Sequence, residues 1–182
     1  TTNGAATYRP FRAEGKWLRD GQGRTVFLRG FNYSNRSKRP PFTTWMRESH
    51  FDQMVSVGSN AVRLLLSWEK VEPRKGVYDA AYLKHMEKVI RWCEKRDIWV
   101  ILDMHQDIYG LLFGGNGMPE WTALDDPKVP NQVNSGDWYM NYANMDVCHS
   151  FDNFYTDEEL QLAYANAWTL VIERIKNYPN VI

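Results

Sequence analysis

Three short apolar runs along the chain each lead into polar side chains. They read VFLRGFNYS from Val26, NAVRLLLSW from Asn60 and IWVILDMH from Ile98. A continuous apolar run of this length is typical of a strand that is buried on both faces, as in a parallel sheet. The pattern therefore predicts three buried strands, and their polar ends are the first candidates for a functional site.

Helical periodicity separates these strands. Residues 44–57 place Phe51 and Met54 on one face, which predicts a helix between the first two strands. A second helix is predicted after Asp79, whose carboxylate can accept hydrogen bonds from the first helical turn. A third is predicted after a capping box formed by Thr156 and Glu159.

Two N-terminal segments complete the local pattern. The first ten residues are predicted to be a loose terminus. The segment KWLRDGQGRTVFLRG then indicates two antiparallel strands joined by a turn over residues 20–23.

The elements alternate strongly between strand and helix, and residues 180–182 begin a fourth strand. This order predicts an α/β fold with a parallel sheet. A doubly wound nucleotide-binding sheet would need a glycine-rich turn after its first strand, but FNYSNRSK contains no glycine. The strands instead end in polar groups, namely Asn32, Ser67, and His105 with Asp107. That edge of the sheet is where (β/α)8 TIM barrels carry their active sites.

The length of the chain limits how much of a barrel it can form. A complete barrel takes about 250 residues, and this chain has 182. We therefore expect residues 1–182 to be the N-terminal part of a single (β/α)8 catalytic barrel, roughly its first three and a half β/α units. Residues 106–155 show little periodicity and are predicted to form a long rim loop after the third strand.

Composition narrows the classes of partner. The 22 basic and 22 acidic side chains balance, so nothing favours a nucleic-acid partner. Cys93 and Cys148 form no metal-binding pattern with His85 or His149, so neither a metal nor another cofactor is expected, and a disulfide stays open. Aromatic side chains make up 14%, which suits either a Trp-rich core or a surface for sugar rings and lipid tails.

Several motifs taken together resemble glycoside hydrolase family 5, and within it the endoglycoceramidases and related glycosphingolipid hydrolases. They are LRGFN, NAVRLLLSWEKVEPRKGVYD, DMHQD, GGNGMPEW and FDNFY, and they extend from about Trp17 to the end. The resemblance implies a secreted, retaining β-glycosidase that uses two glutamates. In the family these glutamates end the fourth and seventh strands, so both are expected outside residues 1–182. Glu69, Glu72 and Glu120 match neither catalytic position.

The resemblance also implies which residues of this chain hold the substrate. Lys38, His105 and Asp107 match sugar-binding positions, and Trp138 matches a tryptophan that lines the sugar site. Arg63 matches an arginine near the nucleophile, where a guanidinium would keep that carboxylate ionised.

The residues themselves leave structural alternatives open. Lys38 could be a solvated surface lysine, and His105 with Asp107 could be a buried structural pair. Arg63 could belong to an internal salt bridge, and Asp103 is expected in the structural layer below the site.

The substrate beyond the sugar is less constrained. Leu111 to Phe113 lie on the predicted rim loop, and we expect them to be exposed as an apolar patch for a lipid, which includes a possible transient contact with a lipid surface. If buried, they only hold the loop. The resemblance implies first an enzyme that cleaves the β-glycosidic bond between the glycan and the ceramide of glycosphingolipids. Alternative activities are those of a steryl-glucoside or glucosylceramide β-glucosidase, or of an endo-β-glucanase. A non-catalytic sugar-binding fragment is an alternative of another class. The remaining C-terminal half of the barrel is expected as a partner, on this or a separate chain.

Overall fold

The computed structural model describes residues 11–33, 35–43, 45–132 and 136–182. The strands are β1 (Arg12–Glu14), β2 (Trp17–Arg19), β3 (Gly30–Tyr33), β4 (Ala61–Leu66) and β5 (Trp99–Met104). The α-helices are α1 (Glu48–Ser56), α2 (Trp68–Val71), α3 (Ala80–Glu94), α4 (Met145–Thr156) and α5 (Glu158–Ile175). Short 3-10 helices cover Asn35–Lys38, Leu111–Phe113, Glu120–Thr122 and Trp138–Ala143. The predicted loose terminus, residues 1–10, lies outside the described residues.

The predicted parallel sheet is confirmed. β3, β4 and β5 lie side by side in chain order and pair in parallel. A fourth strand begins where it was predicted, because Val181 forms a parallel bridge with Val100 of β5. Strands that are neighbours in both sequence and space are the arrangement of a (β/α)8 barrel, whereas the strand order of a doubly wound sheet reverses partway.

One face of the sheet is buried under helices. Val62, Leu64 and Leu66 alternate along β4 and are almost completely buried. They share one hydrophobic core with side chains of α1, α3 and α5, which include Phe51, Met86, Ile90, Ala167 and Val171. Because successive strand residues point to opposite faces, the intervening Arg63 lies on the face away from the helices.

The first two predicted helices are confirmed with small changes of boundary. α1 begins at Glu48, later than the predicted start at Thr44, which lies outside the described residues. Asp79 caps α3 as predicted, since its Oδ1 accepts a hydrogen bond of 2.9 Å from the backbone of Tyr82.

Within the described ranges, no helix is both long and apolar enough to cross a lipid bilayer.

The N-terminal hairpin is only partly as predicted. The turn at residues 20–23 is present, and Gly23 N donates to Asp20 O at 2.9 Å. However, β2 pairs along its length with β1, and a single bridge between Arg19 and Thr25 spans the predicted turn.

The connection after β5 contains more regular structure than the sequence indicated. The predicted rim loop over residues 106–155 is wrong for its last part, which forms α4. Asn144 begins that helix by accepting from the backbone of Asp146 at 2.8 Å. The predicted capping box is also wrong, because Asp157 caps α5 and accepts from Glu159 N at 2.8 Å. Thr156 is instead the last residue of α4 and donates back to Asp152 O at 2.8 Å.

Candidate functional site

A chain of polar contacts lies on the helix-free face of the sheet. Asn32 of β3 is aligned with Arg63 of β4 in the parallel register, so their side chains leave the sheet on the same face. Arg63 Nη2 lies 2.8 Å from Asp103 Oδ2 on β5, and its Nη1 lies 3.5 Å from Asn32 Oδ1. The ion pair that the sequence left open for Arg63 is therefore present, although the Arg63 side chain is partly exposed.

His105 connects this ion pair to the end of β5. Its Nδ1 lies 2.9 Å from Asp103 Oδ2, and its Nε2 lies 3.2 Å from Asp107 Oδ2. A neutral imidazole can donate to only one of the two carboxylates, whereas an imidazolium donates to both. Asp103 thus does more than support the layer below the site, because it joins Arg63 to His105.

Two donors and the imidazole ring of His105 converge on one oxygen of Asp107. Lys38 Nζ lies 2.7 Å from Oδ2, and Asn116 Nδ2 donates to the same atom at 2.9 Å. Burial opposes ionisation of Asp107, but the hydrogen bonds from Lys38 and Asn116 outweigh it and lower the pKa of this carboxyl group. Lys38 is therefore a bonded member of the cluster rather than a free surface lysine.

Sequence reasoning missed Asn116, which reaches the site from the loop after β5. Asp107 and Asn116 exchange two backbone hydrogen bonds of 2.9 and 2.8 Å. A Cβ atom on Gly115 would lie 1.7 Å from Asp107 O, and one on Gly117, where φ is +115°, would lie 2.3 Å from His105 O. Only glycine fits at both positions, so the Gly-Asn-Gly triplet was the signal for this close approach.

The structure does not connect Trp138 with the polar cluster. Its side chain is 61% exposed, and its ring contacts are with Tyr139 and Tyr142, at centroid distances of 6.4 and 6.5 Å. The exposure fits a ring that stacks on a sugar. Its place in the sugar site stays a prediction.

Glu69 and Glu72, which follow the end of β4, accept hydrogen bonds that stabilise the local fold. Glu69 Oε1 accepts from Ser67 Oγ at 3.0 Å and from Gly117 N at 2.6 Å. Glu72 accepts from Trp68 Nε1 at 2.8 Å and from Gly76 N at 2.7 Å. Burial raises the pKa of Glu69 despite its two donors.

The predicted lipid patch over Leu111 to Phe113 is wrong. Phe113 is fully buried, Leu112 packs against the core, and only Leu111 is exposed. This segment turns inward because its aromatic ring packs edge-on against Tyr109, at a centroid distance of 6.2 Å. Exposed apolar side chains occur farther along, at Trp138, Tyr139, Met140, Tyr142 and Met145.

Across the part of the chain that the structure describes, no group of three or more His, Cys, Asp or Glu side chains could hold a metal ion. Cys93 and Cys148 form no disulfide there. The contacts of Lys38, Arg63, Asp103, His105 and Asp107 form a network of charged donors and acceptors at the strand ends, which suits a ligand rich in hydroxyl groups.

Comparison with protein families identifies the family to which the chain belongs. Residues 19–182 match the model described as cellulase (glycosyl hydrolase family 5). The chain therefore belongs to glycosyl hydrolase family 5, and its sheet is the N-terminal portion of a (β/α)8 TIM barrel. The resemblance drawn from the motifs is confirmed.

Within the family, the chain is similar to enzymes named for glycolipids. It is 38% identical to endoglycoceramidase I of Rhodococcus hoagii over 120 residues, which cover 64% of this chain and 24% of that protein. It is 30% identical to a glucosylceramidase of Rhizopus delemar over 82% of this chain and 29% of that protein.

A solved structure extends the similarity to the fold. Endo-glycoceramidase II from Rhodococcus sp. superposes with a TM-score of 0.83 at 36% identity, over 91% of this chain and 40% of that one. Other structures of that enzyme are described as a lactosyl-enzyme intermediate and a ganglioside GM3 complex. The chain spans less than half the length of each of these relatives.

Proposed function

We propose that the complete protein is a retaining glycoside hydrolase that cleaves the β-linkage between the glycan and the ceramide of glycosphingolipids. The observation that carries this proposal is the network of Lys38, Asp107 and His105 at the strand ends. Family membership and the relatives named endoglycoceramidase support it.

The described residues would supply the part of the site that holds the sugar. Lys38 can donate to sugar hydroxyl groups, and the carboxylate of Asp107 can accept from them. Arg63 lies at the base of the network and would favour the ionised form of a nearby carboxylate nucleophile. Trp138 would offer its exposed ring to a sugar face.

The bond-breaking groups would come from elsewhere in the complete protein. A retaining glycosidase needs two carboxyl groups about 5 Å apart, one as acid and base and one as nucleophile. We place both glutamates outside residues 1–182, on the fourth and seventh strands of the barrel. The nucleophile would form a covalent glycosyl-enzyme while the acid protonates the departing ceramide oxygen, and water would then release the glycan. The related enzyme with a lactosyl intermediate supports this course.

Two further properties belong to the same proposal. We propose that the protein is secreted, which rests on the family resemblance. We also propose transient contact with lipid through the exposed side chains of residues 138–145, because Trp and Tyr side chains suit the boundary between water and lipid.

A glucosylceramide β-glucosidase is the second candidate, because one relative is named glucosylceramidase. The complete protein would be incubated with lactosylceramide and with glucosylceramide in detergent, and the products identified by mass spectrometry. Release of intact lactose together with ceramide supports the first proposal. Release of glucose from glucosylceramide, with lactosylceramide untouched, supports the second. No hydrolysis of either lipid contradicts both.

A further inference from the structure

A buried carboxylate is hydrogen-bonded to the loop that carries Asn116. Glu69 lies at the start of α2 and is only 9% exposed. Its Oε1 accepts from Gly117 N at 2.6 Å, and its own backbone N donates to Gly117 O at 2.8 Å. Two opposed hydrogen bonds thus fix Gly117 to the end of β4.

Asn116, which precedes Gly117, contacts the polar network at the strand ends. Asn116 is 6% exposed, and its Nδ2 donates to Asp107 Oδ2 at 2.9 Å. Gly117 can sit this close to the strand end only because it has no Cβ, since one would lie 2.3 Å from His105 O. A shift of Gly117 would therefore move the Asn116 amide relative to Asp107.

The Asn116 contact determines which oxygen of Asp107 remains available. Lys38, His105 and Asn116 all approach Oδ2. Among the described residues, no hydrogen bond to Oδ1 is found, so that atom is the acceptor left for a hydroxyl group. Loss of the Asn116 donor would let the carboxylate rotate and would redistribute its donors.

We propose that Glu69 is a positioning residue for the sugar site, which fixes Gly117 so that the Asn116 amide holds Asp107 Oδ2 and leaves Oδ1 for the substrate. This inference rests on the proposed function, in which Asp107 binds sugar. The alternative is that Glu69 only supports α2, as Glu72 does through Trp68 Nε1 and Gly76 N.

A double-mutant cycle in the complete protein separates these two roles. Glu69→Leu removes the acceptor for Gly117 N, and Asn116→Ala removes the donor to Asp107. Each is expected to lower kcat/KM about tenfold. Because both act through one contact, the double variant should fall by no more than about twofold beyond Asn116→Ala. Glu72→Gln is the control, and it is expected to lower the melting temperature while leaving kcat/KM unchanged. A hundredfold loss in the double variant, roughly the product of the single losses, overturns the proposal, as does full kcat/KM in folded Glu69→Leu.

Glu69→Gln decides the matter if Glu69→Leu does not fold. The introduced amide oxygen can still accept from Gly117 N. A crystal structure of this variant shows whether the bond to Gly117 N persists. If it persists, kcat/KM is expected to stay within about threefold of the unaltered protein. If it breaks, the Asn116–Asp107 contact and kcat/KM are expected to be lost together. A persistent bond with a tenfold loss, or a broken bond with full kcat/KM, overturns the proposal.

The crystallographic readout also keeps the two proposals apart. If the unaltered complete protein cleaves no glycolipid, the proposed function fails, whereas the separation of Asn116 Nδ2 from Asp107 Oδ2 still tests Glu69. If the unaltered protein is active and the cycle is additive, the function stands and the role of Glu69 is refuted.

Discussion

At the scale of single residues, side chains from three separate parts of the chain meet at Asp107, because Lys38, His105 and Asn116 all approach its Oδ2 atom. His105 and Asp107 are two apart, and their contact follows from the period of two of an extended chain. The Lys38–Asp107 contact joins positions 69 residues apart, and it was not predicted, although the family resemblance implied that both residues bind the sugar. Asn116 was missed because no periodicity extends into the loop, although its two flanking glycines signalled a close backbone approach.

The role of Lys38 can be tested with a neutral replacement of similar length. Lys38→Met in the complete protein should lower kcat/KM on glycosphingolipid by about 2–3 kcal/mol of transition-state stabilisation, because a charged donor to substrate and to Asp107 is lost. The melting temperature should change little, since Lys38 is partly exposed. The exposed Arg39→Met serves as the matched control and should retain its kcat/KM. Equal losses in both variants would contradict the assignment.

The lowered pKa of Asp107 predicts a pH dependence of stability. The folded carboxyl group holds its proton less tightly than its ordinary pKa of 3.8 allows, because of Lys38 and Asn116. The stabilisation of the folded protein by the ionised Asp107 carboxylate is therefore fully present above pH 3.8. It is lost as the pH falls through the lower pKa of the folded state. The difference in melting temperature between the unaltered protein and Asp107→Asn should shrink as pH falls from about 6 to about 3. A difference that grows towards low pH would refute the direction of the shift.

At the scale of elements, capping was predictable where one candidate stood alone. Asp79 precedes a clear helical pattern, and it caps α3. The capping-box pattern predicted Thr156 as the cap of the last helix, but Thr156 is the last residue of α4 and the adjacent Asp157 caps α5. α4 itself was missed because most residues of its sequence, MDVCHSFDNFYT, have weak intrinsic helix propensity and because it follows a long irregular segment.

The cap of α5 gives a stability prediction. Asp157→Ala should lower the free energy of unfolding by about 1 kcal/mol, because it leaves Glu159 N and Leu160 N without their side-chain acceptor. Thr156→Ala is the neighbouring control and should cost less than about 0.5 kcal/mol, since its hydroxyl group is exposed. Urea unfolding of the complete protein measures both values. The reverse order would show that Thr156 is the effective cap.

At the scale of the whole molecule, the alternation of strands and helices predicted a parallel α/β sheet, and the polar strand ends without a glycine-rich turn indicated the barrel class. Neither pattern could show how the described residues meet the rest of a barrel. Phe31 in the edge strand β3 is 50% exposed, and Val57 at the end of α1 is 71% exposed. At the opposite end of the sheet, Ile172 and Ile182 are also exposed. Such apolar surface at both ends of an open sheet favours covering by further barrel units.

Residues 1–182 on their own should therefore be inactive and unstable. Expressed alone, they are expected to hydrolyse no fluorogenic β-glycoside and to unfold without a cooperative thermal transition, because the sheet is open and the core is partly uncovered. The complete protein provides the control for both assays. Turnover that co-purifies with the fragment would refute the placement of both catalytic glutamates outside these residues.

The central claim is that the polar network at the strand ends binds the sugar of the substrate. A crystal structure of the complete protein with a bound oligosaccharide tests this claim most directly. Lys38 Nζ and Asp107 Oδ1 are predicted to lie within about 3.2 Å of sugar hydroxyl groups, with Oδ2 still held by Asn116. A sugar bound at another place, with Lys38, His105 and Asp107 in contact only with one another, would contradict the account and make the network structural.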